Sequence, residues 1–112
     1  MSKNHLYKGT LQSVLLKLLS EEERMYGYEL SKKAKAMTNG DLDITEGSLY
    51  PALHKLEAQG LVEAEIEMIG KRARKYYRLT ESGGREAKDR IEELTEYVRN
   101  LQMFLKPNLG NG

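Results

Sequence analysis

The sequence predicts a mainly α-helical chain of the α+β class, with one small β-hairpin and a long C-terminal helix. Three observations support this fold class. Apolar residues recur at helical spacing in three segments of the first sixty residues. They then alternate strictly with glutamates over residues 62–68, which is typical of a strand. Beyond Thr80 they follow a 4-3-4-3-4 spacing as far as Leu105, which is typical of a helix that pairs with another helix.

The first predicted helix buries one apolar face and can be capped by Thr10. The positions on this face are Leu11, Val14, Leu15, Leu18 and Leu19. Three glutamates at positions 21–23 follow, and they oppose the negative end of the helix dipole. The first helix is therefore expected to end there in a charged loop.

The second and third helices carry the same kind of signal. The second is expected from Gly27 to about Met37, and Asn39 and Gly40 end it because both tolerate left-handed conformations. Its inward residues are Leu30, Ala34 and Met37, and its outward residues are Lys32, Lys33 and Lys35. The third helix carries Leu49, Leu53 and Leu56 on one side and ends at Gly60. With Thr45 as its cap, Pro51 removes a hydrogen bond in the second turn; with Ser48 as the cap, Pro51 falls in the first turn.

Residues 62–68 predict one half-buried strand. Its inward positions are Val62, Ala64, Ile66 and Met68, and its outward positions are Glu63, Glu65 and Glu67. Gly70 opens a turn, and residues 74–79 form the second strand of a two-stranded hairpin. We expect Arg74 and Arg78 to pair with the glutamates across the hairpin, which leaves Lys71 and Arg72 without partners at its tip.

The segment after Thr80 predicts one long amphipathic helix that ends at Pro107. Its heptad seam consists of Ala87, Ile91, Leu94, Val98, Leu101 and Leu105. Because a long apolar stripe is unfavourable in water, we expect this seam to pair with a second copy of the chain. The chain then divides into a domain of residues 1–80, a dimerisation helix of residues 81–106 and a disordered tail of residues 107–112.

Composition excludes several classes of function. The 112 residues carry a formal net charge of +1, so the overall charge favours no particular partner. The absence of cysteine excludes disulfides and thiolate metal sites and fits a reducing cytoplasm. The apolar run of residues 11–19 is too short to cross a bilayer. We therefore expect a cytoplasmic protein that does not enter membranes.

No set of residues predicts catalysis, a metal site or a cofactor. His5 and His54 are the two histidines, and neither has carboxylates nearby at metal-ligand spacing. Ser48 lacks the glycine pattern of a nucleophile elbow, and the Gly83-Gly84 pair is typical of a helix start rather than of a phosphate-binding loop. We expect no enzymatic activity.

Three helices followed by a hairpin predict a winged helix-turn-helix, in which the third helix enters the major groove of DNA and the hairpin, or wing, reaches the backbone. The outward positions of the third helix are small or able to form hydrogen bonds, which suits close approach to base edges. Basic residues at the wing tip can neutralise phosphates. The predicted DNA contacts are Lys32, Lys33, Ser48, Tyr50, Pro51, His54, Lys55, Lys71, Arg72 and Arg74. The alternative is an ordinary surface helix beside a hairpin whose charges only pair with each other.

Six blocks of sequence, in order along nearly the whole chain, resemble the PadR-like (phenolic acid decarboxylase regulator) family. They are Leu6-Tyr7-Lys8-Gly9, Tyr26-Gly27-Tyr28-Glu29-Leu30, Glu46-Gly47-Ser48-Leu49-Tyr50-Pro51-Ala52-Leu53, Leu56-Glu57, Gly60-Leu61-Val62 and Tyr76-Tyr77-Arg78-Leu79-Thr80. The third block, with the two that follow it, is the specific part of the resemblance. The short segment after Thr80 resembles the subtype with a single C-terminal helix.

The resemblance implies a bacterial, dimeric transcriptional repressor, and the two-fold symmetry of a dimer predicts a near-palindromic operator. In this subtype, drug-sensing members hold planar aromatic compounds at the dimer interface with a tryptophan of the C-terminal helix. This sequence has no tryptophan and departs from that pattern. We predict instead that small aromatic molecules bind between the subunits near Tyr97, Phe104 and the first helix, and that they weaken DNA binding. The alternative function is a winged-helix adaptor that binds another protein and does not read DNA.

Overall fold

The computed structural model describes residues 10–107. The element bounds are α1 Leu11–Ser20, β1 Met25–Tyr26, α2 Gly27–Met37, α3 Glu46–Ala58, β2 Val62–Ile69, β3 Arg72–Leu79 and α4 Glu81–Leu105. This is the mainly helical α+β arrangement that the sequence predicts. The block of residues 6–9, His5 and all of the predicted disordered tail except Pro107 lie outside the described residues.

The core forms around α1. Leu15, Leu16, Leu18 and Leu19 of this helix are all buried, and the other helices and the sheet pack leucines, three alanines and Tyr77 against them. Burying one leucine stabilises a fold by about 1.5–3 kcal/mol, so this face alone is a large contribution. Met37, which was predicted to face inward, is exposed. It is the last residue of α2, where the neighbouring elements no longer cover the helix.

Helix α3 begins directly after Thr45, so the first of the two predicted starts is the one observed. Leu49 N donates to Thr45 O at 2.8 Å, while the Thr45 hydroxyl donates to Ser48 Oγ rather than to the backbone. Pro51 therefore lies in the second turn. Because proline has no N–H, the Gly47 carbonyl loses its helical partner on the exposed side of the helix.

The hairpin belongs to a three-stranded antiparallel sheet of order β1-β3-β2. Strand β1, which was not predicted from the sequence, pairs Met25 with Tyr77 and Tyr26 with Tyr76. Strand β3 also begins two residues earlier than predicted, because Ile69 pairs with Arg72 across a loop of only two residues. The first of these, Gly70, has a φ of +63°, as the first central residue of a type II′ turn requires.

The distal half of the wing is not buried on either face. Val62 is buried and Ala64 is half-buried, as the alternation predicts, but Ile66 and Met68 are 70% and 62% exposed. The prediction that these two residues face a core was wrong. The strands extend beyond the helices, and no second layer from the described part of the chain covers them there.

The start of α4 packs against the residues that directly follow α3. The Thr80 hydroxyl accepts a hydrogen bond from Gly83 N and donates to Gly60 O at 2.6 Å. Gly83 is buried so closely against Leu61 that an added Cβ would lie 1.8 Å from the Leu61 carbonyl oxygen. Ala87 then enters the core and Ile91 packs against it. The first half of α4 is thus part of the same core as the helix-turn-helix.

This contact gives a stability prediction. Gly83→Ala should lower the free energy of unfolding by about 3 kcal/mol, because its methyl group would overlap main-chain atoms that cannot rotate away. Urea unfolding followed by circular dichroism at one protein concentration measures this loss. Gly84→Ala is the matched control: no atom of residues 10–107 lies within 4 Å of its Cβ position, so it should raise the stability by about 0.5 to 1 kcal/mol. Equal effects of the two substitutions would contradict the packing argument.

Candidate nucleic-acid interface

The outward face of α3 is open to solvent. Ser48, Pro51, His54 and Lys55 are exposed, as the helical spacing of the buried leucines predicts. Several of these side chains, with Gly47, border a shallow cavity of about 260 Å³ whose far wall is Leu11 and Gln12 of α1. Small residues and an exposed carbonyl on this face let the backbone of another molecule come close.

Tyr50 has a different setting from its neighbours on α3. It is half-buried, and its ring lies against the N-terminus of α2. A Cβ added at Gly27 would lie 2.5 Å from the Tyr50 hydroxyl oxygen, so glycine is required for this approach. Tyr50 therefore connects α3 to the start of α2.

A second cleft, of about 530 Å³, lies between the start of α2 and the distal part of β3. Tyrosines line one side and basic residues line the other. The lining is Tyr26, Gly27, Tyr28, Tyr50, Arg72, Ala73, Arg74 and Lys75. The structure thus brings Tyr50, Arg72 and Arg74, three of the predicted DNA contacts, to one concave surface, and adds Tyr26 and Tyr28, which the sequence analysis did not select.

The glutamates of β2 are paired, but not as predicted. Arg78 Nε donates to Glu63 Oε1 at 2.7 Å, as expected. Glu65 and Glu67 instead accept from Arg24, in the loop before β1, and these hydrogen bonds raise the pKa of Arg24. The prediction that Arg74 pairs with a wing glutamate was therefore wrong. Arg24 was missed because its partners lie more than forty residues away in the sequence.

Arg74 packs against tyrosines on the same sheet. Its guanidinium carbon lies 4.4 Å from the centre of the Tyr26 ring, and a hydrogen bond to Tyr76 raises the pKa of Arg74. Tyr26 and Tyr76 form an edge-to-face pair with ring centres 5.7 Å apart. A guanidinium over an aromatic face is attracted electrostatically and keeps its N–H groups available to further acceptors.

The remaining basic residues differ in how far they are engaged. Within residues 10–107, no carboxylate forms an ion pair with Lys55, Lys71 or Arg72, so the wing tip has a local positive charge. Lys33 pairs with Glu22 at 3.4 Å and Glu21 at 3.8 Å. Lys32 lies over the Tyr28 ring at 5.5 Å. Of the two predicted α2 contacts, Lys33 is thus the one already paired within the chain.

Beneath the cleft, Tyr77 anchors β3 in the core. Its side chain is almost fully buried, and burial raises the pKa of its phenol, with smaller contributions from Glu57 and Tyr50. Lys75, the next-but-one residue towards the tip, lies 5.5 Å from the Tyr77 ring centre and 4.0 Å from Glu57 of α3. These contacts join strand β3 to the C-terminal end of α3.

An apolar cavity of about 500 Å³ lies between α1, the C-terminal half of α2 and α4. Its walls include Val14, Leu18, Met37, Leu94 and Val98. Tyr97 and Phe104, the predicted ligand contacts, are not among its lining residues, and both are exposed.

The heptad seam is divided between two environments. Ala87, Ile91 and Leu94 are buried or half-buried within the chain, whereas Val98, Leu101 and Leu105 are exposed.

Comparison with known proteins decides the family. The sequence profile described as "Transcriptional regulator PadR-like family" matches residues 15–89. The chain belongs to the PadR-like family. It is 36% identical over 69 residues to the transcriptional regulator Rv3488 of Mycobacterium tuberculosis, a match that covers 62% of this chain and 64% of the relative. The family consists of transcriptional regulators, not enzymes, in agreement with the sequence analysis.

Solved structures of PadR-like and related regulators share the fold. A transcriptional regulator from Clostridium thermocellum superposes with a TM-score of 0.81 at 30% identity, covering 91% of this chain and 99% of the other. Bacillus subtilis PadR, solved in complex with operator DNA, superposes with a TM-score of 0.63 at 28% identity, covering 70% of this chain and 45% of that one. This chain therefore spans less than half of the Bacillus subtilis protein. Within residues 10–107, no helix is both long enough and apolar enough to cross a membrane.

Proposed function

We propose that this PadR-like protein is a transcriptional repressor that binds operator DNA as a homodimer. The observation that carries the proposal is the pairing pattern of the wing. All three glutamates of β2 are engaged by arginines, while Lys71 and Arg72 at the tip have no ion-pair partner in the part of the chain that is described. Bacillus subtilis PadR, which was solved with operator DNA, supports the same use of the fold.

In this proposal the two exposed surfaces have different roles. Ser48, Pro51, His54 and Lys55 on α3 meet base edges in the major groove, because small and hydrogen-bonding side chains allow a helix to approach them. Lys71 and Arg72 at the wing tip neutralise phosphates. The cleft with Tyr50 and Arg74 lies between these surfaces and contacts the connecting backbone, and Lys32 adds a phosphate contact from α2.

The two roles predict different responses to substitution. Lys71→Ala should weaken binding to all duplexes and reduce the salt dependence by about one unit of slope. His54→Ala should cost about 1 to 3 kcal/mol on the operator and little on random DNA. Fluorescence anisotropy with both kinds of duplex over a salt series measures these effects. Footprinting should show a near-palindrome with half-sites about one helical turn, or a multiple of it, apart.

Lys88→Ala, on the exposed side of α4, removes the same charge away from both surfaces and serves as the control. If His54→Ala and Lys71→Ala weaken operator and random DNA alike, α3 does not read bases. If the wild type binds no duplex at moderate salt, the protein-interaction adaptor replaces the repressor as the preferred function.

The second half of α4 supports the homodimer. Val98, Leu101 and Leu105 continue the heptad seam beyond the point where the chain's own core ends, and Val98 and Leu101 are 44% and 40% exposed. Met103 and Phe104 add further exposed apolar surface on the same turns. An apolar stripe of this kind is stabilised by knobs-into-holes packing against a second helix.

Val98→Asp should therefore shift the protein from dimer to monomer, because the carboxylate would be buried against apolar neighbours of the partner. Sedimentation velocity at micromolar concentration measures the shift. Asn100→Asp introduces the same charge at an exposed position of the same turn and should leave the dimer intact. A wild-type protein that sediments as a monomer would contradict the homodimer.

The effector is the third part of the proposal. The apolar cavity between α1, α2 and α4 is large enough for a small aromatic molecule, and Leu94 and Val98 connect it to the dimer seam. Tyr97 and Phe104 of a second copy are proposed as the aromatic contacts. A ligand that binds there releases DNA only if it binds the free and DNA-bound geometries with different affinity.

Aromatic acids and dyes should raise the unfolding temperature of the wild type, since a ligand at a hundred times its Kd stabilises a fold by about 2.7 kcal/mol. Thr95→Leu, which adds apolar volume to the wall of the cavity without adding an aromatic ring, should reduce this stabilisation. Thermal unfolding and anisotropy in the presence of each compound make the test. If compounds stabilise both proteins equally, they bind elsewhere.

A further inference from the structure

Arg24 makes a contact that spans the width of the sheet. It lies in the loop between α1 and β1, on the sheet face opposite the core. Its Nη1 donates to Glu65 Oε1 at 2.9 Å, its Nη2 donates to Glu67, and its guanidinium carbon lies 4.0 Å from the centre of the Tyr76 ring. One planar guanidinium thus holds two carboxylates of β2 while resting on β3.

The positions of Glu65 and Glu67 make the Arg24 contact a link between the wing hairpin and the loop that precedes β1. Strand β1 pairs only with Tyr76 and Tyr77, so β3 has no β1 partner between Arg72 and Lys75. Glu67 lies opposite Arg74, within this unsupported part of the wing. Three ion pairs of the described chain join the hairpin to segments outside it. Two are those of Arg24, and the third is the longer contact, 4.0 Å, between Lys75 and Glu57.

We propose that Arg24 is a positioning residue that sets the angle of the wing relative to α3, and that it raises DNA affinity without contacting DNA. This inference rests on the proposed function. The distal wing has almost no buried apolar surface to fix its direction, since Ile66 and Met68 are exposed. A wing that is held in place before binding loses less conformational freedom on the operator, so it binds more tightly.

The direction in which DNA affinity changes when the glutamates lose their charge distinguishes positioning by Arg24 from simple electrostatics. Glu65→Gln with Glu67→Gln removes two negative charges from the wing, and charge alone would make DNA binding tighter. Positioning by Arg24 predicts weaker binding, because the guanidinium loses the negative charge of both its ion-pair partners. Glu63→Gln is the matched control, since Glu63 pairs with Arg78 of the adjacent strand and not with Arg24. It should leave binding unchanged or make it tighter.

The arginine side has its own pair of variants. Arg24→Gln should weaken binding to the duplex that the wild type selects from a random library by about fivefold, with an unchanged salt slope. Arg24→Lys should recover part of this loss, because one ammonium can still reach one carboxylate. Arg78→Gln removes the same charge but breaks a contact that lies entirely inside the hairpin, so it should weaken binding less than about twofold. A salt slope reduced by one unit in Arg24→Gln would instead make Arg24 a phosphate contact.

A measurement without DNA tests whether Arg24 fixes the direction of the wing, independently of the proposed function. The sequence has no cysteine, so Lys71→Cys and Lys35→Cys place single spin labels on the wing tip and on α2. With excess unlabelled protein present, the distance between the labels is measured within one chain. Arg24→Gln should broaden the distance distribution, and Arg78→Gln should not. Unchanged distributions, or equal losses of affinity for Arg24→Gln and Arg78→Gln, would overturn the proposal. Failure of the wild type to bind DNA would overturn the repressor function and the gain in affinity, whereas the spin-label distances would still test whether Arg24 sets the angle of the wing.

Discussion

Burial of one leucine face of α1 is the constraint on which the other elements depend. Helices α2, α3 and α4 and strand β3 all pack against this ten-residue helix. A typical domain is stable by only about 5–15 kcal/mol, so four buried leucines at about 1.5–3 kcal/mol each are decisive for it. Because α3 and the buried part of β3 share this one support, its packing fixes where the wing leaves the core relative to the surface that the proposal assigns to base reading.

The wing is stabilised in another way. Beyond Ala64 it buries little apolar surface, and its side-chain contacts are ion pairs and guanidinium–aromatic contacts on one face. Exposed contacts of this kind are each worth at most about 1 kcal/mol and weaken with salt. The same arrangement leaves basic residues in excess at the tip, since the carboxylates are already neutralised. A polar wing is therefore less rigid than the core, and its direction depends on a few charged contacts.

Local patterns in the sequence predicted the parts of the fold that local spacing determines. The leucines of α1 and α3 gave both helices and the exposed face with His54, and the alternation of residues 62–68 gave β2. Strand β1 could not be found in this way, since two residues have no periodicity and become a strand only by pairing with Tyr76 and Tyr77. Arg24 was missed for the same reason. The exposure of Ile66 and Met68 depends on where the helices end, which a pattern within the strand does not record.

The heptad seam of α4 shows what a periodic pattern leaves undetermined. The 4-3-4 spacing requires that each position face an apolar neighbour, but it does not say whether that neighbour belongs to the same chain. In the structure Ala87 and Ile91 meet the chain's own α1, while Val98 and Leu101 stay exposed. The cavity beside Leu94 lies at the point along α4 where the seam passes from the chain's own core to solvent. In the proposed homodimer, a molecule bound there touches the helix-turn-helix support and the heptad seam together, which is the physical requirement for coupling an effector to the spacing of two DNA-binding surfaces.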